Sequence, residues 1–280
     1  MVGWSSLSLK AEVITVWGTI SNNEYYPDGP RRMTRLFEVS SDGSDSSIFI
    51  TNVATHMTAQ TTWKSGERFY YFQLPRTNSL GTVSNVSGAR FDHQQVPYLD
   101  SSFNECAWLA FASHSYFTHR TNDDTLPIWP TGLRPENDGK IGTRAFYTSL
   151  KGSFFPSEVA YVTDGFEHFE GLTKGILQGI QLLPPLDQGF TNYIGRTIAT
   201  TNLAGREVPL QFEIFRYGPN VNDPGKLSTL KLLMHCVIDV SGVAIAAGKI
   251  GYPPLGSDNY YYLQQEVIKP ETLRKRLGLP

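Results

Sequence analysis

Histidine is the side chain that most often carries protons near neutral pH, and the chain has six: His56, His93, His114, His119, His168 and His235. His114 and His119 lie five positions apart, so on one strand they face opposite sides and cannot share a metal ion. The densest run of ligand-type groups is Asp164-Gly165-Phe166-Glu167-His168-Phe169-Glu170. On a strand His168 and Glu170 share a face and could hold a cation between them, and with Glu167 from the same run they are the metal-ligating candidates. The plainer reading of the same run is a solvated loop edge whose phenylalanines point inward. Asp123 and Asp124 near Trp129 set two carboxylates beside a ring, as a glycosidase cleft or a calcium-assisted sugar site does, although adjacent carboxylates on a loop also simply keep it soluble. Asp42 and Asp45 in the polar turn Ser40-Ser41-Asp42-Gly43-Ser44-Asp45-Ser46-Ser47 join them as loop candidates for binding.

The established catalytic spacings are absent from the sequence. There is no Gly-x-Ser-x-Gly, no Asp-Thr-Gly or Asp-Ser-Gly, no His-Glu-x-x-His, and no glycine-rich loop between a strand and a helix. Cys106 next to Trp108 could act as a nucleophile only with a base such as His235 or His114. The two cysteines, Cys106 and Cys236, both sit in apolar stretches and read as buried thiols, too few for a disulfide scaffold. No catalytic residue and no cofactor is assigned, and enzyme is the minority reading.

Period-two alternation dominates the elements that would carry these groups. Leu7, Leu9, Ala11 and Val13 alternate with polar residues, and the phase then slips into Val16-Trp17-Gly18, as a bulge would produce. Phe49 to Met57 and Arg68 to Leu74 read as strands. Val208 to Ile214 pairs with Arg196 to Thr201 across Asn202-Leu203-Ala204-Gly205. Leu230 to Ile238, Asp239-Val240-Ser241-Gly242 and Val243 to Ala247 read as a second hairpin, and Tyr260 to Leu263 as a last strand. Helices are scarce: Leu172 to Leu183, and a short tail from Pro270 to Leu277. The pattern predicts an all-β chain, a β-sandwich, jelly roll or related barrel with few short helices. Residues 1–120 and 144–280 form β-rich regions joined by a proline-spaced connection at 121–143, or one continuous domain.

Lys+Arg 24 against Asp+Glu 26 argues against a dedicated nucleic-acid binder. The clusters Arg31-Arg32 with Arg35, and Arg274-Lys275-Arg276, neutralise too few phosphates. No run is long enough for a membrane-spanning helix. Met1 to Ser6 has neither the basic nor the apolar part of a cleaved signal. Low charge at 18% with 12% aromatics suits a protein that makes large contacts with other macromolecules.

Several segments resemble coat proteins of non-enveloped positive-strand RNA viruses. Gln95-Val96-Pro97-Tyr98-Leu99-Asp100-Ser101 and Val243-Ala244-Ile245-Ala246-Ala247-Gly248-Lys249-Ile250-Gly251-Tyr252-Pro253-Pro254 resemble stretches of picorna-like coat proteins. Asp239 to Gly242 and Arg274 to Pro280 resemble the end of calicivirus protruding domains. The resemblance implies a jelly roll or β-rich projection without catalysis, a role in capsid assembly or host attachment, and a place in the virion, assembled in the host cytoplasm. Its partners would be copies of itself or related coat proteins, and a host receptor or glycan. Two other readings stand beside it. One is an extracellular lectin-like or adhesin β-sandwich using Trp63, Tyr98 and Trp129; the other is an acid/base glycoside hydrolase around Asp123, Asp124 or Glu167.

Overall fold

Ile14, Val16 and Ile20 alternate with Thr15, Thr19 and Ser21 in the first described strand, and β-branched side chains of this kind suit a pleated, half-buried surface. The computed structural model describes residues 12–54, 58–65, 68–73, 86–91, 102–113, 143–163, 185–186, 190–220, 228–250, 261–263 and 266–277. The strands are β1 (Glu12–Tyr26), β2 (Gly29–Ser41), β3 (Ser46–Asn52), β4 (Thr58–Ser65), β5 (Arg68–Gln73), β6 (Val86–Phe91), β7 (Thr143–Ser149), β8 (Pro156–Thr163), β9 (Phe190–Leu203), β10 (Arg206–Pro219), β11 (Leu230–Ala247), β12 (Tyr261–Leu263) and β13 (Glu266–Ile268). Two helices join them among the described residues: α1 (Ser102–Phe111), between β6 and β7, and α2 (Pro270–Leu277), after β13.

All thirteen strands belong to one sheet, in the order β13-β12-β6-β5-β4-β3-β2-β1-β11-β10-β9-β8-β7. The pairings are antiparallel except that of β12 with β6. β1 to β6 and β7 to β11 are each a meander in which consecutive strands pair, and β1 joins β11 along thirteen residue pairs from Glu12↔Ala247 to Glu24↔Met234. The all-β expectation therefore holds. The jelly-roll and sandwich forms do not describe this sheet, because those folds divide their strands between two packed sheets in Greek-key order, whereas here, within β1–β6 and within β7–β11, sequence neighbours are sheet neighbours.

The sheet is curled around α1. On a flat sheet β2 and β8 would stand about 24 Å apart, five spacings of roughly 4.8 Å. Yet the Phe111 ring on α1 stacks on Phe37 of β2 with centroids 5.3 Å apart, and meets Phe155, the residue before β8, edge-on at 6.0 Å. α1 also touches β1, β3, β4 and β9. It is apolar nearly all round, and Phe103, Cys106, Ala107, Trp108, Leu109, Ala110 and Phe111 are all buried. Such a helix has no solvent face to offer and is stable only inside a shell. Its last turn is closed by Ser113 Oγ, which donates to the Leu109 carbonyl at 2.9 Å.

The β9–β10 hairpin falls where the sequence reading placed it. Leu203 pairs with Arg206, so the turn is Ala204-Gly205, with φ of 51° and 83°. Positive φ at both central residues is the turn geometry whose twist matches a hairpin. Asn202 Oδ1 secures it by accepting from Gly205 N at 3.0 Å.

Two expectations need correction. Asp239 to Gly242 is no turn: β11 runs through it unbroken, and the pairing jumps from Trp17↔Gly242 to Gly18↔Val240, leaving Ser241 as a bulge. A Cβ on Gly242 would lie 2.2 Å from the Trp17 indole, and one on Gly18 would lie 2.0 Å from the Asp239 carbonyl oxygen. The glycines leave room for the Trp17 indole over β11 and for the Asp239 carbonyl against β1. The strand read as Phe49 to Met57 ends at Asn52, whose Oδ1 accepts from Ala54 N at 2.9 Å and starts a turn. The tail helix forms as expected. The helix expected over Leu172 to Leu183 lies outside the described residues.

Candidate functional site

Because strand side chains alternate in direction, the register sorts the curled sheet into an inner face against α1 and an outer face. The inner face is a stack of rows running across β2, β1, β11, β10 and β9. At the mouth, beside the β1–β2 turn, the row is Arg31, Glu24, Met234, Arg216 and Tyr193. Behind it come Met33, Asn22, Cys236, Ile214 and Gly195, then Arg35, Ile20, Ile238, Phe212 and Thr197. Deeper still the face is Phe37 with Gly18 and Val240, Val39 with Val16 and Val243, and Ser41 with Ile14 and Ile245. The face is thus polar at its mouth and apolar within, and α1 fills the apolar part.

The mouth is organised by Glu24. Its Oε1 accepts from Asn22 Nδ2 at 3.2 Å, and its Oε2 accepts from the Tyr26 hydroxyl. That hydrogen bond, together with partial burial, holds the Tyr26 phenol above the ordinary tyrosine range, while the positive charges of Arg31 and Arg216 pull the other way. In the β1–β2 turn Asp28 accepts from Arg31 Nη2 at 2.7 Å. This contact lowers the Asp28 carboxyl and raises the Arg31 guanidinium. The arginines also lie over aromatic rings: Arg31 over Tyr26 at 4.6 Å, Arg216 over Tyr193 at 5.6 Å and Arg35 over Phe103 of α1 at 5.3 Å. A ring beneath a guanidinium attracts its charge and fixes its plane, leaving the in-plane N–H groups as donors.

The outer face carries a second group of titratable side chains. Glu213 accepts from Arg196 Nη2 at 3.2 Å and lies 3.8 Å from His235 Nε2. The His235 ring stacks parallel on Phe215, with centroids 4.6 Å apart, and Arg196 lies 5.5 Å from the Phe215 centroid. These residues sit on neighbouring strands β9, β10 and β11, on the face of the sheet away from α1. The arrangement is a cross-strand ladder that stabilises the sheet. His235 is therefore no base for Cys106: it projects from the outer face, whereas Cys106 is buried on α1 against the inner one. Both cysteines are buried free thiols.

Most sequence candidates lie outside the described residues: Asp123, Asp124, Trp129, Tyr98, His114, Glu167, His168 and Glu170. Trp63 falls on β4. Asp42 and Asp45 occupy the β2–β3 turn. There Asp42 Oδ1 accepts from Ser44 N at 2.9 Å and Asp45 N at 2.7 Å, so that oxygen holds the turn together. Among the described residues no group of three histidine, cysteine, aspartate or glutamate side chains is placed to hold a metal ion, and no helix is long and apolar enough to cross a membrane.

The sequence reading missed the inner face and α1. The alternation Arg31, Met33, Arg35, Phe37, Val39 does put two of the clustered arginines on the side of the core residues and Arg32 on the other. For α1, Ser102-Phe103-Asn104-Glu105 fits the capping-box spacing that opens a helix.

No protein-family model and no curated protein matches the chain. Among solved structures it is similar to a LolA superfamily protein from Nitrosomonas europaea, at 14% identity and TM-score 0.37, covering 83% of this chain and 86% of that one. It is also similar to a DUF1329 family protein from Desulfovibrio piger, at 11% identity and TM-score 0.34, covering 87% and 89%. A third is a putative outer membrane lipoprotein-sorting protein domain from Vibrio parahaemolyticus, at 8% identity and TM-score 0.36, covering 86% and 87%. These three are bacterial proteins, not viral coat proteins. With a single meandering sheet around a buried helix, the coat-protein resemblance falls. The capsid-assembly and host-attachment roles and the virion location fall with it. The lectin-like and glycoside-hydrolase readings gain no support.

Proposed function

We propose that the protein is a non-catalytic carrier that takes the apolar chain of a ligand into the inner face of its curled sheet. α1 occupies that face when the ligand is absent and gives way when it enters. The observation that carries this reading is the geometry of α1: a ten-residue helix whose described side chains are all buried fills the trough between the β2 and β8 walls. A trough lined by Ile14, Val16, Ile20, Phe37, Val39, Phe212, Ile214 and Ile238 and opening on a polar mouth is the form that apolar-ligand sites take. Burying one methylene of a ligand there is worth about 0.8 kcal/mol, so a chain of a dozen carbons supplies roughly 10 kcal/mol against the packing that α1 gives up.

The test is titration of the full chain with a twelve-carbon alcohol, followed by calorimetry and by the emission of Trp108 in a variant lacking the other four tryptophans. The reading expects one saturable site and an emission shift to longer wavelength, as the indole leaves its buried position. No heat and no shift up to the solubility limit of the probe would reject it.

A further inference from the structure

One residue of the inner face breaks its pattern. In the rows behind the mouth, the described side chains are apolar, small or neutral, except Arg35. It shares its row with Ile20, Ile238 and Phe212, all three fully buried. Its guanidinium lies over Phe103 in the first turn of α1, and its Nη1 donates to the Thr34 carbonyl at 3.0 Å. No carboxylate among the described residues pairs with it. A part-buried charge loses hydration, and an arginine set among apolar side chains is destabilising unless something meets the charge.

We propose that Arg35 is the anchor for the ligand's anionic end, so that the carried molecule is an amphiphile with a carboxylate or phosphate monoester at one end of an apolar chain. This rests on the carrier reading above and names the chemistry that reading leaves open. The Phe103 ring occupies the face of the guanidinium, so its edge is what an anion would meet. Two parallel N–H donors there match two oxygens of a carboxylate or phosphate. The apolar rows beyond Arg35 then take the chain.

The experiment compares three probes on the full chain by calorimetry: dodecanoate, 1-dodecanol with the same number of carbons, and inorganic phosphate. The variants are Arg35→Gln, Arg35→Lys and, as a control of the same stacked type on the outer face, Arg196→Gln. Dodecanoate is expected to bind the wild type about ten- to a hundredfold more tightly than 1-dodecanol, the range of one charge-assisted pair. Arg35→Gln should collapse that ratio without weakening 1-dodecanol, Arg35→Lys should retain part of it, and Arg196→Gln should leave it unchanged. Equal affinities in the wild type, or a ratio that survives Arg35→Gln, would overturn the anchor while leaving the carrier reading standing. Inorganic phosphate binding as tightly as dodecanoate would also overturn it, by showing a site for a free anion. If neither twelve-carbon probe binds, the carrier reading fails and the anchor with it. Thermal melts of each variant confirm that the compared proteins are folded.

Discussion

The curl of the sheet rests on one ring touching two distant walls, and that can be measured as coupling. Phe111→Leu, Phe37→Leu and Phe155→Leu each remove an aromatic ring and keep apolar bulk. Each single change should cost about 1–2 kcal/mol, because Phe111 and Phe155 are fully buried and Phe37 nearly so. The informative quantity is the interaction term in the cycles Phe37/Phe111 and Phe111/Phe155. Aromatic pairs at centroid distances of 5.3 and 6.0 Å are worth about 0.5–1.5 kcal/mol beyond the area they bury. Both cycles should therefore give a coupling in that range, read from urea midpoints at constant m. The Phe37/Phe155 cycle, with Phe111 between the rings, should give less. Coupling of Phe111 to Phe37 with less than about 0.3 kcal/mol to Phe155 would refute the reasoning, because β2 and β8 could then lie far apart on an open sheet.

The remaining expectations are local. Gly18→Ala would drive a Cβ to 2.0 Å from the Asp239 carbonyl oxygen and should cost about 3 kcal/mol in a denaturation experiment. Gly248→Ala, with nothing within 4 Å, should stay within about 0.5 kcal/mol. Ala204→Gly relieves a non-glycine residue at φ 51° and should stabilise the chain by about 0.5 kcal/mol net of the added unfolded-state entropy, seen as a higher melting temperature. Tyr26 has a raised pKa, so its contribution is fully present below the ordinary tyrosine pKa and is lost as pH rises above it. Glu24→Gln should bring its phenolate absorbance step back toward the ordinary value, measured as the difference between Glu24→Gln and Glu24→Gln/Tyr26→Phe. On the outer face, Glu213→Gln breaks an ion pair whose arginine is 56% exposed and should change stability by less than about 0.5 kcal/mol.

How much of this was legible in the sequence depends on which signals are local. The β9–β10 hairpin could be read because two alternating runs flank a turn whose residues, Asn202 to Gly205, serve the turn itself. The Ser241-Gly242 pair misled because that glycine answers to Trp17 on another strand, a contact between residues far apart in sequence. α1 was invisible to periodicity because a helix buried on all sides has no polar stripe. The arginines at 31, 32 and 35 were seen as one cluster. Their meaning depends on parity and on a helix seventy residues away: Arg31 and Arg35 face inward, and Arg32 faces out. The acidic and histidine runs drew attention because their residue types are those of catalysis and metal binding, while the inner face is built from residues ordinary in any core.

The account stands or falls on whether α1 yields to an apolar ligand. Cys106 sits on that helix, and in a Cys236→Ala variant it is the only thiol left. The measurement is the rate at which Cys106 reacts with a chromogenic disulfide as dodecanoate is raised. The account predicts a slow rate without ligand and a saturable acceleration that follows the calorimetric binding curve. A ligand that binds while Cys106 remains as protected as before would contradict it.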